Sequence, residues 1–253
     1  MDELKKILSS LKELGCSGIK ISYEDEGALL NEVISMRYLT SCVGVNLAIK
    51  IGGCEAKRDI VDCLNISCDS IVAPMIESGF ALNKFSKSLK QYNYCGEKGF
   101  NLETINAYNN LEEISEEFSC IDYVTVGRVD FASSLKKDRS FVNEEQMYDM
   151  VKRVFIKAKE VGKKCYLGGA ISIASKDFIK NLIDLDLLDK FETRYIIFDT
   201  KQINFEDFEK LLYWANVFEV QWLKFISERY GKLFNKDTER IKMMEERINA
   251  NSQ

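Results

Sequence analysis

Five ionisable residues, Glu24, Lys50, Glu103, Asp130 and Asp199, each stand close behind a short β-rich run in a chain that contains no histidine. Carboxylates carried on the ends of neighbouring strands suit a hard divalent cation, which takes oxygen ligands. Glu103 and Asp130 end successive strands, so their oxygens can meet on one Mg2+ or Mn2+, with water and substrate oxygens completing an octahedron. The plainer alternative is that each acid caps the helix that follows it. Without histidine, Ser-His-Asp and Cys-His catalysis and an imidazole base are excluded. Acid–base work falls to carboxylates, lysine, tyrosine, a thiol or water. The 8 cysteines include no C-x-x-C pair, so they read as reduced thiols that pack as small hydrophobes rather than as zinc ligands.

Glycine marks the same places. Gly52 and Gly53 follow Lys50, Gly127 precedes Arg128-Val129-Asp130, and Gly168-Gly169 end a further strand. Glycine lets backbone approach a ligand closely and presents amides to an anion, although turns alone also explain these positions. Neither G-x-G-x-x-G nor a P-loop is present, so nucleotide binding is not indicated.

These residues need elements to position them. Strand candidates at 18–23, 43–50, 69–73, 99–103, 121–126, 164–167 and 195–198 alternate with amphipathic stretches of helical period, the pattern of βα units around a parallel sheet. Their ends recur every ~29 residues, and eight such units need about 230 residues, close to the ~250 of a (β/α)8 TIM barrel. That barrel is the predicted fold, with an open doubly wound sheet as the competing architecture. Only seven strands stand out. Either a short strand hides in an irregular stretch or the first strand is atypical or missing, since the chain opens with a helix over 2–14. The barrel domain is expected over 1–203. A helical extension over 204–253, rich in aromatics such as Phe218, Trp222 and Tyr230, is expected to pack on the barrel or on a neighbouring subunit of a homo-oligomer. In a barrel, the strand ends and the loops after them form the catalytic face, which would gather the five ionisable residues on one rim.

Composition sets the outer limits. The chain has 253 residues, 46% hydrophobic and 30% charged, which is globular composition. Its 40 acidic and 35 basic residues are interspersed, so no basic stripe favours nucleic acid. No apolar run approaches the roughly 18 residues of a membrane-spanning helix. The opening MDELKKILSS has no signal-peptide core, so a cytoplasmic protein is expected.

Three segments in order, IVAPMIES (71–78), FNLETINAYNNLEEI (100–114) and VTVGRVDFASSL (124–135), resemble the metal-dependent HpcH/HpaI aldolase and citrate lyase β-subunit family. The first is similar to a strand ending in a proline-containing loop, and Pro74 is the only proline of the chain. The second is similar to the segment whose strand ends in a metal-binding glutamate, and the third to a Gly-x-x-Asp loop with the metal-binding aspartate. ISYEDEG (21–27) is a weaker match to the acidic cluster of the citrate-lyase branch. The resemblance runs from about residue 18 to 200. It implies a TIM barrel with an exchanged C-terminal helix, oligomers, and carbon–carbon bond chemistry next to a 2-oxo acid or acyl-CoA through a metal-stabilised enolate. It further implies Glu103 and Asp130 as Mg2+ ligands and amides near Gly127 as the seat of the substrate carboxylate.

The chain departs from the family pattern where an arginine is expected. Lys50 stands there in LAIKIGG, and lysine cannot make bidentate contacts, so Arg128 is the nearby cation expected to compensate. Glu24, Asp25 or bound water would replace the missing histidine base, and the segment 133–143 would contribute to the substrate site. The expected activity is a Mg2+-dependent lyase or aldolase with catalytic Lys50, Glu24 and Arg128, and with Gly127, Arg128 and Lys50 holding a small anionic 2-oxo acid. The alternatives are a non-catalytic barrel that binds a metal or anion, and an enzyme of the wider phosphoenolpyruvate/pyruvate barrel group.

Overall fold

The computed structural model describes residues 1–250 and has eight strands closed into one barrel in sequence order. The strands are β1 (Cys16–Ser22), β2 (Asn46–Lys50), β3 (Ser70–Ala73), β4 (Glu97–Leu102), β5 (Tyr123–Gly127), β6 (Lys164–Gly168), β7 (Lys190–Glu192) and β8 (Ile196–Asp199). Around them lie α1 (Asp2–Glu13), α2 (Leu30–Val43), α3 (Lys57–Ile66), α4 (Gly79–Gln91), α5 (Ile105–Asn109), α6 (Leu111–Glu116), α7 (Arg128–Ser134), α8 (Glu145–Glu160), α9 (Lys176–Asp184) and α10 (Phe208–Ala250). The fold is therefore an α/β barrel of TIM type, as the βα spacing predicts.

The eighth strand is not where the spacing suggests. β1 is intact, and the strand hidden from sequence is β7, three residues long. No helix separates it from β8. The two form a hairpin, so β8 runs antiparallel to both β7 and β1. This corrects the placement of Asp199. It pairs with Lys190 at the start of β7, its amide donates to Gly15 O at 3.0 Å, and its Oδ1 accepts from the Lys201 amide at 2.9 Å. Asp199 closes a turn on the rim opposite the catalytic face and takes no part in the site.

Two separate apolar layers follow from the strand period of two. The larger lies between barrel and helices and includes Ile19, Ile21, Leu47, Ile49, Phe100, Leu102, Val124 and Val126, all fully buried or nearly so. The smaller lies inside the barrel and consists of Val72, Tyr123 and Tyr166. Tyr123 and Tyr166 stack with centroids 4.2 Å apart, and Tyr123 exchanges a 2.6 Å hydrogen bond with Ser70. Lys190 Nζ sits 5.2 Å from the Tyr166 ring centroid. This plug fills the lower barrel and leaves the upper half open. A Cβ on Gly99 would come within 2.2 Å of the Tyr123 ring. Gly99→Ala is therefore expected to cost at least the 1–3 kcal/mol typical of overpacking, read as a fall in thermal midpoint.

α10 is 43 residues long, which at ~1.5 Å per residue spans about 65 Å. Phe208, Leu211, Leu212, Ala215, Phe218 and Trp222 bury its first part against the barrel, and it packs along α1. Further along, Leu223, Leu233 and Ile241 are exposed. The end of the expected extension, 251–253, lies outside the described residues. Among the described residues no helix is long and apolar enough to cross a membrane.

Candidate active site

The upper barrel opens into a cavity of about 440 Å3 lined mostly by polar side chains. Glu103 reaches it because β4 turns its odd-numbered residues inward and because Thr104 starts α5 directly afterwards, its Oγ1 accepting from Ala107 N at 3.1 Å. The carboxylate is fixed on both sides. Oε1 accepts from the Met75 amide at 3.0 Å, and Oε2 accepts from Asn101 Nδ2 at 2.9 Å. Burial raises the Glu103 pKa, against the lowering by Lys50 and by those two hydrogen bonds, while the charge of Asp130 adds to the rise.

Asp130 lies in the first turn of α7, where the helix dipole favours an acid, and lines the same cavity. Burial raises its pKa as well, with Lys50 opposing and Asp25 and Glu24 reinforcing. Lys50 ends β2 with its ammonium 2.7 Å from Glu24 Oε2. Burial pulls the Lys50 pKa down, but the charges of Glu103 and Glu24 outweigh it and leave it raised. Three expected residues, Glu103, Asp130 and Lys50, thus line one cavity, with Glu24 behind Lys50.

Gly127 lines the same cavity, and its missing side chain matters there. A Cβ there would lie 2.6 Å from Glu103 Oε2, and one on Gly168 would lie 3.0 Å from Glu192 Oε1. Both glycines make room for a carboxylate on the neighbouring strand.

Arg128 does not compensate for Lys50. Its side chain is fully buried beside the barrel, not on the cavity wall. Nε donates to Gly168 O at 3.2 Å, Nη1 to Val142 O and Asn143 Oδ1 at 2.9 Å each, and Nη2 to Gly169 O at 2.8 Å and Ser175 Oγ at 3.4 Å. The guanidinium also lies 4.8 Å from the Phe178 ring centroid. With its donors committed, it ties the β5 and β6 loops together and has none left for a substrate.

Sequence reasoning missed several cavity residues. Lys20 on β1 forms an ion pair with Glu192 on β7, a separation of 172 residues. Asn101, Glu26, Arg139 and Arg194 also line the cavity. The available signal was a lysine or asparagine at an inward position within otherwise apolar parallel strands, in GIKIS and GFNLE, where burial on both faces makes a polar side chain costly. Arg139 falls within the segment 133–143 expected to serve the substrate.

The residues fit a hard divalent cation. Asn101 Oδ1 is buried without a hydrogen-bond partner while its Nδ2 serves Glu103, so an unmet oxygen lies next to a carboxylate, with Asp130 on the same wall. Among the described residues, no group of three or more His, Cys, Asp or Glu is close enough to hold a metal, so protein acids supply two oxygens groups at most.

The site is thus a polar cavity at one rim of a closed barrel, with two acids on its wall. No family model matches the sequence, and no curated protein is similar to it by sequence. Among solved structures, the chain is similar to an HpcH/HpaI aldolase from Desulfitobacterium hafniense DCB-2, with TM-score 0.63 and 12% identity over 76% of this chain and 82% of that one. It is also similar to the citrate synthase SbnG, with TM-score 0.62 and 12% identity over 87% and 88%. An HpcH/HpaI aldolase/citrate lyase family protein from Burkholderia cenocepacia J2315 follows, with TM-score 0.59 and 13% identity over 70% and 80%. At these identities the likeness is one of fold.

Proposed function

We propose that the chain is a divalent-metal-dependent carbon–carbon lyase or aldolase acting on a small 2-oxo acid. One observation carries the reading: Glu103 and Asp130 line a single polar cavity beside the unpartnered Asn101 Oδ1, with the Lys50 ammonium facing both acids. The fold shared with aldolase and citrate synthase structures supports it. Glu103, Asp130 and Asn101 would hold Mg2+ or Mn2+, which supplies electrophilic stabilisation of the negative charge that develops when a bond next to a 2-oxo group breaks.

The remaining work belongs to the chain. Lys50, held by Glu24, presents a fixed positive charge toward the substrate carboxylate or the developing enolate oxygen. It offers a point charge rather than a planar fork, so the substrate's orientation depends on the cavity walls. The tyrosine plug below excludes water from the barrel floor.

Oxalate, which imitates the planar enolate of pyruvate, tests this reading. Calorimetric titration is expected to show oxalate binding that requires Mg2+ or Mn2+, and wild-type protein is expected to release pyruvate or glyoxylate from a 4-hydroxy-2-oxo acid or related substrate. Absence of metal-dependent oxalate binding removes the proposal. Binding without turnover of any such substrate favours the second reading, a ligand-binding barrel, for which Lys50 in the arginine position is the motivating observation.

A further inference from the structure

A chain without histidine needs another group to carry protons if it makes and breaks carbon–carbon bonds. Most described acids and amines that line or border the cavity already have a task or a partner. Glu103 and Asp130 are the proposed oxygen donors to the cation. Lys50 and Glu24 are paired with each other, as are Lys20 and Glu192 deeper in the barrel. Asp25 is more than half exposed, and Glu219 of α10 is half-buried. No cysteine lines the cavity.

Glu26 differs from all of these. Its side chain is only 9% exposed, it lines the cavity, and its Oε2 is buried with no hydrogen-bond partner. Its Oε1 lies 3.5 Å from Arg194 Nε, which anchors one end of the carboxyl group, while the buried Oε2 has no partner. A buried carboxyl oxygen with no donor is costly as a carboxylate and comfortable as an O–H.

We propose that Glu26 is the proton-transferring group of this site. The inference rests on the reading of the chain as an enolate-forming enzyme and gives a specific role to one member of the acidic cluster 21–27. In cleavage of a 4-hydroxy-2-oxo acid, the Glu26 carboxylate takes the proton from the 4-hydroxyl, and the carbon–oxygen bond there becomes a carbonyl. The C3–C4 bond breaks, and its electron pair passes into the enolate of the departing 2-oxo acid. The Glu26 carboxyl then returns the proton to C3, giving pyruvate or a homologue. No oxidant or further reactant is needed.

The surroundings hold this group near the working range. Burial raises the Glu26 pKa to about 7, with Lys20, Arg194 and the Ser22 backbone opposing and Asp25 reinforcing. Tyr195 on the β7–β8 side also feels its charge. Glu192, paired to Lys20, and Asn216 and Glu219 of α10 complete the wall. A general acid–base works best with a pKa near the operating pH.

Exchange of the pyruvate C3 hydrogens for deuterium in D2O with Mg2+, followed by proton NMR, isolates the proton step from bond cleavage. Wild-type protein is expected to catalyse exchange with a rate that rises through about pH 7. Glu26→Gln is expected to slow exchange roughly 100-fold or more and to flatten that pH profile. Its Mg2+-dependent affinity for oxalate is expected to stay within about threefold by calorimetry, and Glu26→Asp to recover part of the rate. A folding readout accompanies the kinetic one. A pKa raised in the folded state means that the folded protein holds the extra proton between about 4.5 and 7, so stability falls as pH rises through that window. Glu26→Gln should remove that fall.

Wild-type exchange unchanged in Glu26→Gln overturns the assignment while leaving the proposed function standing. Parallel loss of oxalate binding and exchange also overturns it, by making Glu26 a binding or structural residue. Wild-type protein that binds oxalate with Mg2+ but exchanges nothing overturns the assignment alone. Wild-type protein that does neither overturns both.

Discussion

Arg128→Met is expected to destabilise the protein by about 3–5 kcal/mol, measured by urea denaturation at neutral pH. Methionine fills similar volume but leaves the carbonyl oxygens of Gly168, Gly169 and Val142 without their donors. Each buried acceptor left unmet costs about 1–3 kcal/mol, so the buried carbonyls of Gly168 and Val142, with a smaller share from the part-buried Gly169, consume much of a typical domain's 5–15 kcal/mol. Burial pulls the guanidinium pKa down to about 9, which still leaves it charged at neutral pH. Arg128→Lys should rescue little, because one ammonium cannot span the β6 loop on one side and Val142 and Asn143 on the other. A substrate-binding Arg128 would give the opposite result, with normal stability and a raised KM. That outcome would overturn the structural role.

Glu103→Gln is expected to weaken Mg2+-dependent oxalate binding by about 100-fold or more while leaving stability within about 1 kcal/mol. The two effects separate because of the neighbouring amide. Glutamine keeps an acceptor for the Met75 amide, and its new donor faces Asn101 Nδ2. Asn101 can rotate its amide so that the unpartnered Oδ1 accepts instead. Removing a carboxylate whose burial already raises its pKa also relieves desolvation. Titration calorimetry and thermal unfolding on the same sample check both halves. Retained affinity would strike Glu103 from the metal site, and an unfolded variant would contradict the amide argument.

The residues behind these two predictions show how far sequence reaches. Glu103, Asp130 and Lys50 were legible because each sits at a strand end or in the first turn of the next helix, and the parallel barrel directs all such ends to one rim. Arg128 was misread although it is only two residues from Asp130. In the first turn of α7, a step of two residues changes the direction of a side chain from the cavity to the barrel's flank. Asp199 was misread for a different reason. Its position at a strand end is correct, but a strand end names a rim only once the strand's direction is known, and the hairpin reverses β8. β7 itself is too short at three residues to show a period.

Local pattern, then, determined the barrel class and the acids at the ends of its parallel strands, because period and βα spacing are properties of contiguous chain. Closure of the cylinder decided the rest. It brought Lys20 against Glu192, seated Glu26 under Arg194 with one oxygen unmet, and turned Arg128 into a tie between loops. Those relations join residues far apart in the chain, and their energies come from burial and paired charge that exist only once the barrel excludes water.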